Sequence, residues 1–474
     1  MKILRFYHLH LLTLSIVLLV SACSQQAAKP IADSIYFGGP IISMQQNNIS
    51  PKALAVHNGK IIAVGVLAKI ENFKGKNTRM IDLKGHTLLP AFIDAHGHFS
   101  MVGLLSQSAN LAAKPEGNTN DIAQLIKNLK AHKNSQQAKQ TGWIIGMNYD
   151  DSQLFEQRHP TAKDLDRVSL ERPVMIIHQS FHLGVLNTKA LELVGYSAST
   201  NNPAGGVIRR LKGSQQPNGV LEEMAFFVAA MKIIKPKSNK HLFDMLQGAQ
   251  QAYLAAGFTT VQEGRATPDN INGLIAASQQ KQLEIDVAAY PDPVFYRNLP
   301  KFKRLMAERT TNYHNHFRIA GIKLSLDGSP QGKTAWLSHP YYRPPAGKTA
   351  DYKGYSALKN EALDNYVTLA YKKQWQVLVH SNGDAASDQF IAAIDRVQKV
   401  YPDKDLRPMI IHAQVIREDQ LDALKRLNVI PSFMSVHTFY WGDWHRESVL
   451  GGTRAKRISP AKSALKKRNS LHQP

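Results

Sequence analysis

The interpretation of this sequence begins with Leu88-Leu89-Pro90-Ala91-Phe92-Ile93-Asp94-Ala95-His96-Gly97-His98. The apolar start of this stretch predicts a short buried strand. Side chains on a strand alternate between two faces, so His96 and His98 are expected to point the same way. Because neutral imidazole is a common ligand for zinc and similar metals, the pair predicts half of a metal site. A bare His-x-His pattern also occurs on surfaces and in cores, so the prediction needs further ligands.

Length and composition restrict the class of protein. The chain has 474 residues, of which 43% are apolar, and this is enough for a barrel with an appended sandwich. The formal net charge is +22. No run of lysine or arginine alternates with aromatic residues as a nucleic-acid groove requires. We therefore expect a generally basic surface and no nucleic-acid partner.

The first residues predict a location in the cell envelope. Lys2 and Arg5 precede an apolar run, residues 9–20, that is too short to span a bilayer comfortably. The run ends in Leu19-Val20-Ser21-Ala22-Cys23, which resembles the signal peptide of a bacterial lipoprotein. The resemblance implies a lipid on Cys23 and attachment to a membrane, with the outer membrane, facing the periplasm, as the expected site. The alternative is an ordinary cleaved signal with an incidental cysteine. Cys23 is the single cysteine, so no disulfide is expected.

Two types of periodicity divide the rest of the chain. Short strand signals, with a hairpin turn at Asn58-Gly59, predict a small β unit at residues 32–87. An insertion at about residues 100–245 is mixed, and residues 203–219 are predicted to be a loop. Apolar strands then alternate with helices, which predicts parallel βαβ units. The predicted strands are the one containing Ile93 and those at residues 258–263, 285–290, 319–324, 376–380, 408–412 and 429–434. The fold class is therefore α/β, a TIM-type (β/α) barrel one strand short of eight.

The carboxyl ends of these strands carry the candidate site, because active sites of such barrels lie there. The strand ends supply His96 and His98, then Lys323, His380 and His412. A lysine in an apolar strand is unusual, since lysine is rarely buried without a partner. Carboxylation by carbon dioxide is one way to keep it there, as an anionic bridge between two metal ions.

These residues resemble the motifs of the amidohydrolase superfamily. The stretch around His96 is similar to the superfamily's first-strand signature, with Ala91 where glycine is usual, and Gly257-Phe258-Thr259-Thr260-Val261 is similar to its second-strand motif. His380-Ser381-Asn382-Gly383-Asp384-Ala385-Ala386 and Lys323-Leu324-Ser325-Leu326-Asp327-Gly328-Ser329 resemble amidohydrolase family 3, the group that contains N-substituted formamide deformylases.

The resemblance implies a role for each candidate. His96 and His98 would bind the more buried metal, carboxylated Lys323 would bridge, and His380 and His412 would bind the more exposed metal. The cofactor would be one or two divalent ions, with zinc expected, and a hydroxide would attack the carbon–nitrogen bond of a small amide or formamide substrate.

Four further residues are candidates near the substrate. The resemblance implies that His182 and Asn187 face it, although His182 could equally be a plain loop residue. Asp384 could orient His380 or could only cap a helix. His437 could reach the pocket or lie in a surface loop.

The resemblance fails at the strand-eight aspartate, which in relatives binds metal and transfers the proton. This sequence has no Asp or Glu after Glu447. We therefore expect a truncated barrel without its eighth strand, an incomplete β-sandwich and impaired hydrolysis, unless Asp384 or Glu263 has taken the aspartate's role. The alternative is a non-catalytic, lipid-anchored protein that binds metal or ligand. The expected organisation is a signal peptide at residues 1–23, the β-sandwich part at 32–87, the barrel at 88–465 and an aberrant basic tail at 466–474.

The lipid anchor is directly testable. A Cys23→Ser protein should not label with palmitate and should leave the membrane fraction, because the thiol that accepts the lipid is gone. The measurement is radiolabelling followed by fractionation, with the wild-type chain as control. Unchanged membrane attachment would instead indicate retention by the uncleaved apolar run.

Overall fold

The computed structural model describes residues 29–44, 50–234, 236–296, 299–307, 312–345, 347–402 and 404–467. The predicted signal peptide, Cys23 and the last residues of the basic tail lie outside these ranges. No helix in the described ranges is long and apolar enough to cross a membrane. The chain divides into two compact units, residues 1–91 and 92–474.

The first unit contains one four-stranded sheet. Its elements are β1 (Ser34–Phe37), β2 (Ala53–His57), β3 (Lys60–Gly65), α1 (Leu67–Ile70), a 3₁₀ turn (Glu71–Phe73) and β4 (Arg79–Asp82). The strand order is β3-β2-β1-β4. β2 and β3 pair in an antiparallel hairpin through Asn58 and Gly59, both with positive φ, as the sequence predicts. The predicted β unit is therefore present as a single sheet in the described part of residues 32–87.

The second unit alternates strands and helices. Its strands are β5 (Phe92–Ile93), β6 (Ala109–Asn110), β7 (Ile144–Tyr149), β8 (Val174–His178), β9 (Leu183–Leu186), β10 (Gly206–Arg210), β11 (Pro217–Glu223), β12 (Phe258–Ala266), β13 (Asp286–Pro291), β14 (Phe317–Ile319), β15 (Gly321–Ser325), β16 (Gln376–Ser381), β17 (Met409–His412) and β18 (Ile430–Phe433).

The helices of this unit cover the strands. They are α2 (Phe99–Leu105), α3 (Ile122–His132), α4 (Gln136–Thr141), α5 (Ala162–Asp166), α6 (Thr188–Val194), α7 (Met224–Ile233), α8 (Asn239–Ala255), α9 (Pro268–Gln279), α10 (Leu299–Ala307), α11 (Asn360–Lys373), α12 (Asp384–Val400), α13 (Glu418–Arg426), α14 (His437–Trp444), α15 (Gly451–Ala455) and α16 (Ala461–Lys466). A 3₁₀ turn (Pro293–Phe295) and a π-helical turn (His445–Val449) complete the set.

Two parallel four-stranded sheets form the centre of the second unit. Their orders are β14-β13-β12-β5 and β15-β16-β17-β18. One residue, Ala320, separates β14 from β15, so both belong to the single strand predicted at residues 319–324. The described residues after β18 are helical or irregular as far as Lys467. The α/β class is thus confirmed. The eight strand segments of the two sheets account for the seven predicted strands, because β14 and β15 together form one of them.

The sheet faces determine where the candidate residues point. Ile322 and Leu324 belong to the large core between the strands and the helices. Leu378 and Ile411 belong to a second, smaller apolar cluster. Because strand residues alternate faces, Lys323 faces away from the helices. The sheet interior and the ends of β15 and β16 therefore define the candidate site.

The insertion forms its own six-stranded sheet, in the order β10-β11-β9-β8-β7-β6. The prediction of a loop at residues 203–219 was wrong, because β10 pairs antiparallel with β11. The three strands β7, β8 and β9 are almost entirely buried. This sheet places the β11–α7 junction next to the candidate site.

Asn187 has a structural position, which corrects the prediction that it faces the substrate. It is the N-cap of α6, and its Oδ1 accepts from the backbone N–H of Ala190 and of Val174. Its Nδ2 donates to the carbonyl oxygens of Ser169 and Arg172. The amide is fully buried, and these four bonds use both of its polar atoms.

An Asn187→Ala variant should therefore lose stability. Removal of the cap and of the acceptor for a buried N–H should lower the free energy of unfolding by about 1–3 kcal/mol. The measurement is urea unfolding followed by tryptophan fluorescence. Asn201→Ala, at an exposed position, is the matched control and should change stability by less than about 0.5 kcal/mol. An unchanged urea midpoint in Asn187→Ala would contradict the structural role.

Candidate metal centre

Five predicted ligands converge on one point of the second unit, which we call the metal centre: His96, His98, Lys323, His380 and His412. The ring centroids of His96 and His98 are 5.1 Å apart, those of His96 and His412 are 5.2 Å apart, and those of His380 and His412 are 4.6 Å apart. Lys323 Nζ lies 3.2 Å from His96 Nδ1. The structure thus brings together residues separated by more than 300 positions in the chain.

The His-x-His pair reaches the centre by a route that the sequence analysis did not predict. β5 ends at Ile93, and the side chains of Phe92 and Ile93 are 49% and 70% exposed, so the predicted buried strand is wrong in this part. The histidines follow in a turn, where Asp94 Oδ1 accepts from the backbone N–H of His96 (3.1 Å). The turn, and not strand alternation, brings the two rings together.

Two ring nitrogens are bonded as in ligated histidines. His98 Nδ1 donates to the carbonyl oxygen of Gly264 (2.6 Å). His380 Nε2 lies 3.0 Å from Asn382 Nδ2 but faces two acceptors, the carbonyl oxygen of Gly328 (3.1 Å) and Asp327 Oδ1 (3.5 Å), and we assign its proton to the bond with Gly328. A carbonyl can only accept, so the proton is on these nitrogens and the other nitrogen of each ring keeps its lone pair. Metal-bound histidines usually donate to a carbonyl or carboxylate in this way.

His412 has an unusual backbone and an unsatisfied nitrogen. Ile410 faces the helices and Ile411 faces the interior, so alternation alone would turn His412 outward. Its φ of +76° lies in the left-handed region, which is uncommon for a non-glycine residue. Its buried Nδ1 makes no hydrogen bond to a described residue. This orphaned nitrogen fits a metal ligand.

The electrostatic environment favours the neutral forms of these groups. Lys323 is 1% exposed, and burial together with the charge of Arg265 lowers its pKa to about 7. Burial and the charge of Lys323 lower the pKa of His98 to about 3. Metal ligation needs neutral imidazole, and carboxylation needs a neutral amine. The set of donors therefore fits one or two divalent ions.

His182 lies beside the metal centre. Its ring centroid is 4.4 Å from that of His380, and its Nδ1 lies 2.7 Å from Oε2 of Glu223. Glu223 is buried, and burial raises its pKa well above the ordinary value. The sequence analysis missed Glu223. The signal was the acidic pair Glu222-Glu223 between an apolar strand and an apolar helix.

Asp327, and not Asp384, is the carboxylate next to His380. Asp384 is the first residue of α12, where it accepts from Ser338 and lies 3.4 Å from Arg417. Asp327 Oδ1 lies 3.5 Å from His380 Nε2, and its carboxylate accepts from the backbone N–H of Asn382 and of Gly383. The suggestion that Asp384 orients His380 is therefore corrected.

His437 is buried and is not a surface residue. It begins α14, and its Nδ1 lies 3.2 Å from His445 Nε2. Its ring packs on Trp441, whose Nε1 donates to Asp150 Oδ2 (2.7 Å). Through Trp441, the helix that His437 begins is thus hydrogen-bonded to Asp150, directly after β7.

A second group, Asp150, Asp151 and His178, is also arranged closely enough to hold a metal ion. His178 Nε2 lies 3.2 Å from Asp151 Oδ1 and 3.7 Å from Asp150 Oδ1. However, the backbone N–H of Ser180 donates to His178 Nδ1, so the ring proton is on Nε2, between the ring and the carboxylates. A ring protonated only on Nε2 has no lone pair on the nitrogen that faces the carboxylates, so the metal centre remains the better candidate.

Comparison with known proteins gives the family. The amidohydrolase family model Amidohydro_3 matches residues 79–471. The chain is 26% identical to the protein LONG AFTER FAR-RED 3 of Arabidopsis thaliana, over 93% of this chain and 74% of that protein. It is 26% identical to the putative amidohydrolase YtcJ of Bacillus subtilis, over 84% and 72% of the two chains. It is 28% identical to the N-substituted formamide deformylase of Arthrobacter pascens, over 50% and 43%.

A solved structure has the same fold. An uncharacterized metal-dependent hydrolase from Pyrococcus horikoshii superimposes with a TM-score of 0.69 at 26% identity, over 93% of this chain and 82% of that one. The family model spans far more than half of the sequence, and the motifs at His96, Lys323 and His380 lie within it. The chain therefore belongs to the amidohydrolase family.

Proposed function

We propose that this protein is a metal-dependent hydrolase of carbon–nitrogen bonds, amide or formamide-like, in small molecules. The observation that supports this most strongly is the convergence of four histidines and a buried lysine at the ends of parallel strands. The parallel strands and the family favour an incomplete TIM barrel of the amidohydrolase type. The match to a formamide deformylase favours formamides among the substrates.

Each residue of the metal centre would have its own role. His96 and His98 would hold the more buried ion, carboxylated Lys323 would bridge, and His380 and His412 would hold the more exposed ion, with zinc as the preferred metal. When bound, such ions supply Lewis-acid activation of water and of the substrate carbonyl. The carbonyls of Gly264 and Gly328 fix the tautomers of two of the rings. Asp327 holds the turn after β16 that carries His380.

The residue that would transfer the proton is not evident in this site. The family aspartate of strand eight has no counterpart among the residues after Glu447. Glu263 forms an isolated β-bridge with His98. However, its carboxylate accepts from the backbone N–H of Ser100 (2.6 Å), so the side chain lies on the face of β12 toward α2. Asp384 is bonded to Ser338. Both carboxylates are thus bonded to other groups, and we propose slow turnover for these 474 residues.

A second candidate function follows from the same observation. A protein that binds metal or ligand without turnover would need the histidines but no proton carrier. For both candidates we propose a lipid anchor on Cys23 and a position at the outer membrane, facing the periplasm.

The purified chain should bind zinc at the metal centre. His98→Ala and His380→Ala should each reduce bound zinc, because each removes a neutral nitrogen donor. Zinc per chain after dialysis is measured by atomic spectroscopy. His86→Ala, an exposed histidine, is the matched control and should retain the wild-type amount. Equal zinc in all four proteins would rule out the metal centre.

Hydrolysis should be slow and metal-dependent. With N-formyl and N-acyl amines, the 474-residue chain should be at least about 100-fold slower than a relative that has the strand-eight aspartate, which is the scale of general acid–base help. The measurement is release of the free amine with and without a chelator. Fast, chelator-sensitive hydrolysis would show that another acid transfers the proton. Zinc binding with no hydrolysis would support the second candidate.

A further inference from the structure

Glu223 combines a strained backbone with complete burial. It ends β11, has φ +48° and ψ −122°, and is 1% exposed. Positive φ is costly for a residue with a Cβ, and such strain persists only where the surroundings enforce it. Strain of this kind clusters at functional sites.

Glu223 contacts His182 through both its backbone and its side chain. Its backbone N–H donates to the His182 carbonyl oxygen (2.8 Å), and its Oε2 is bonded to His182 Nδ1 (2.7 Å). The hydrogen bond uses one ring nitrogen, so Nε2 is the atom left for a ligand. That ring packs 4.4 Å from the ring of His380, a ligand of the metal centre.

Gly328 provides the space for this carboxylate. A Cβ on Gly328 would lie 2.2 Å from Glu223 Oε1 and 2.0 Å from Thr334 Oγ1, so only glycine fits without a shift. The carbonyl oxygen of the same glycine accepts from His380 Nε2. Gly328 therefore lies against both the Glu223 carboxylate and the His380 ring.

We propose that Glu223 is a positioning residue, which holds the His182 ring so that Nε2 contacts the amide group of the substrate bound beside His380. This inference rests on the proposed function. Glu223 would act only through His182 and would not touch the substrate. The class of substrate is then a compound with an N–H or carbonyl group next to the bond that is cleaved.

A double-mutant cycle separates this role from a general effect on folding. His182→Ala and Glu223→Ala should each lower kcat/KM for an N-formyl amine by about 10- to 100-fold, as is usual for residues that orient a metal site's neighbours. The double variant should be no slower than the slower single variant, because Glu223 has nothing left to position. Losses that multiply in the double variant would overturn the proposal.

Two further variants distinguish the loss of positioning from misfolding. Glu223→Gln keeps the shape and one acceptor, so it should recover most of the activity that Glu223→Ala loses. Glu192→Ala, an exposed acid on α6, is the matched control and should match wild type. All variants should retain wild-type zinc content. Glu223→Gln as poor as Glu223→Ala, or zinc lost in both, would assign Glu223 a merely structural role.

The same variants also distinguish failure of the proposed hydrolase function from failure of the positioning role of Glu223. If the wild type hydrolyses nothing, the same cycle is measured as the Kd for acetohydroxamate by calorimetry on the zinc-loaded protein. Non-additive losses in Kd would support the positioning role although hydrolysis had failed. Hydrolysis by the wild type with additive losses would leave the proposed function intact and overturn the role of Glu223.

Discussion

The burial of one amine among four imidazoles is the constraint on which the site depends. Lys323 is almost fully buried, and its Nζ lies 3.2 and 3.3 Å from the two ring nitrogens of His96. Burying a charged amine without a counter-ion is costly, so the group must be neutral or paired. Neutral nitrogens facing one point are the donor set that a divalent ion prefers. The strands, turns and carbonyls around the metal centre all maintain that arrangement.

Backbone groups around the metal centre orient three of its four imidazole rings. Carbonyl oxygens of Gly264 and Gly328 bond His98 and His380, and the left-handed backbone of His412 turns its ring inward. Asp327 ties the turn after His380 to the loop after β15. Such outer contacts set ring orientation and ligand strength as much as the ligands themselves do. The insertion adds His182, whose ring packs beside that of His380, and Glu223, which is bonded to His182.

The sequence predicted the parts of the site that lie on regular strands. Lys323 and His380 follow from alternation along β15 and β16, because apolar neighbours mark the face toward the helices. His412 was identified correctly, but strand alternation is not what turns its ring inward. The positive φ that does so has no signal in the alternation pattern. The role of Asn187 was predicted incorrectly because an asparagine amide can equally well cap a helix or contact a substrate. Glu223 was missed because its partner His182 is distant in sequence, and only tertiary packing joins the two.

A metal ion should bind at His96, His98, Lys323, His380 and His412. The decisive measurement is anomalous diffraction at the zinc absorption edge, from crystals of the zinc-loaded protein. We expect an anomalous peak between these five side chains, with extra density on Lys323 Nζ if the lysine is carboxylated. A peak only between Asp150, Asp151 and His178, or no peak at saturating zinc, would contradict it.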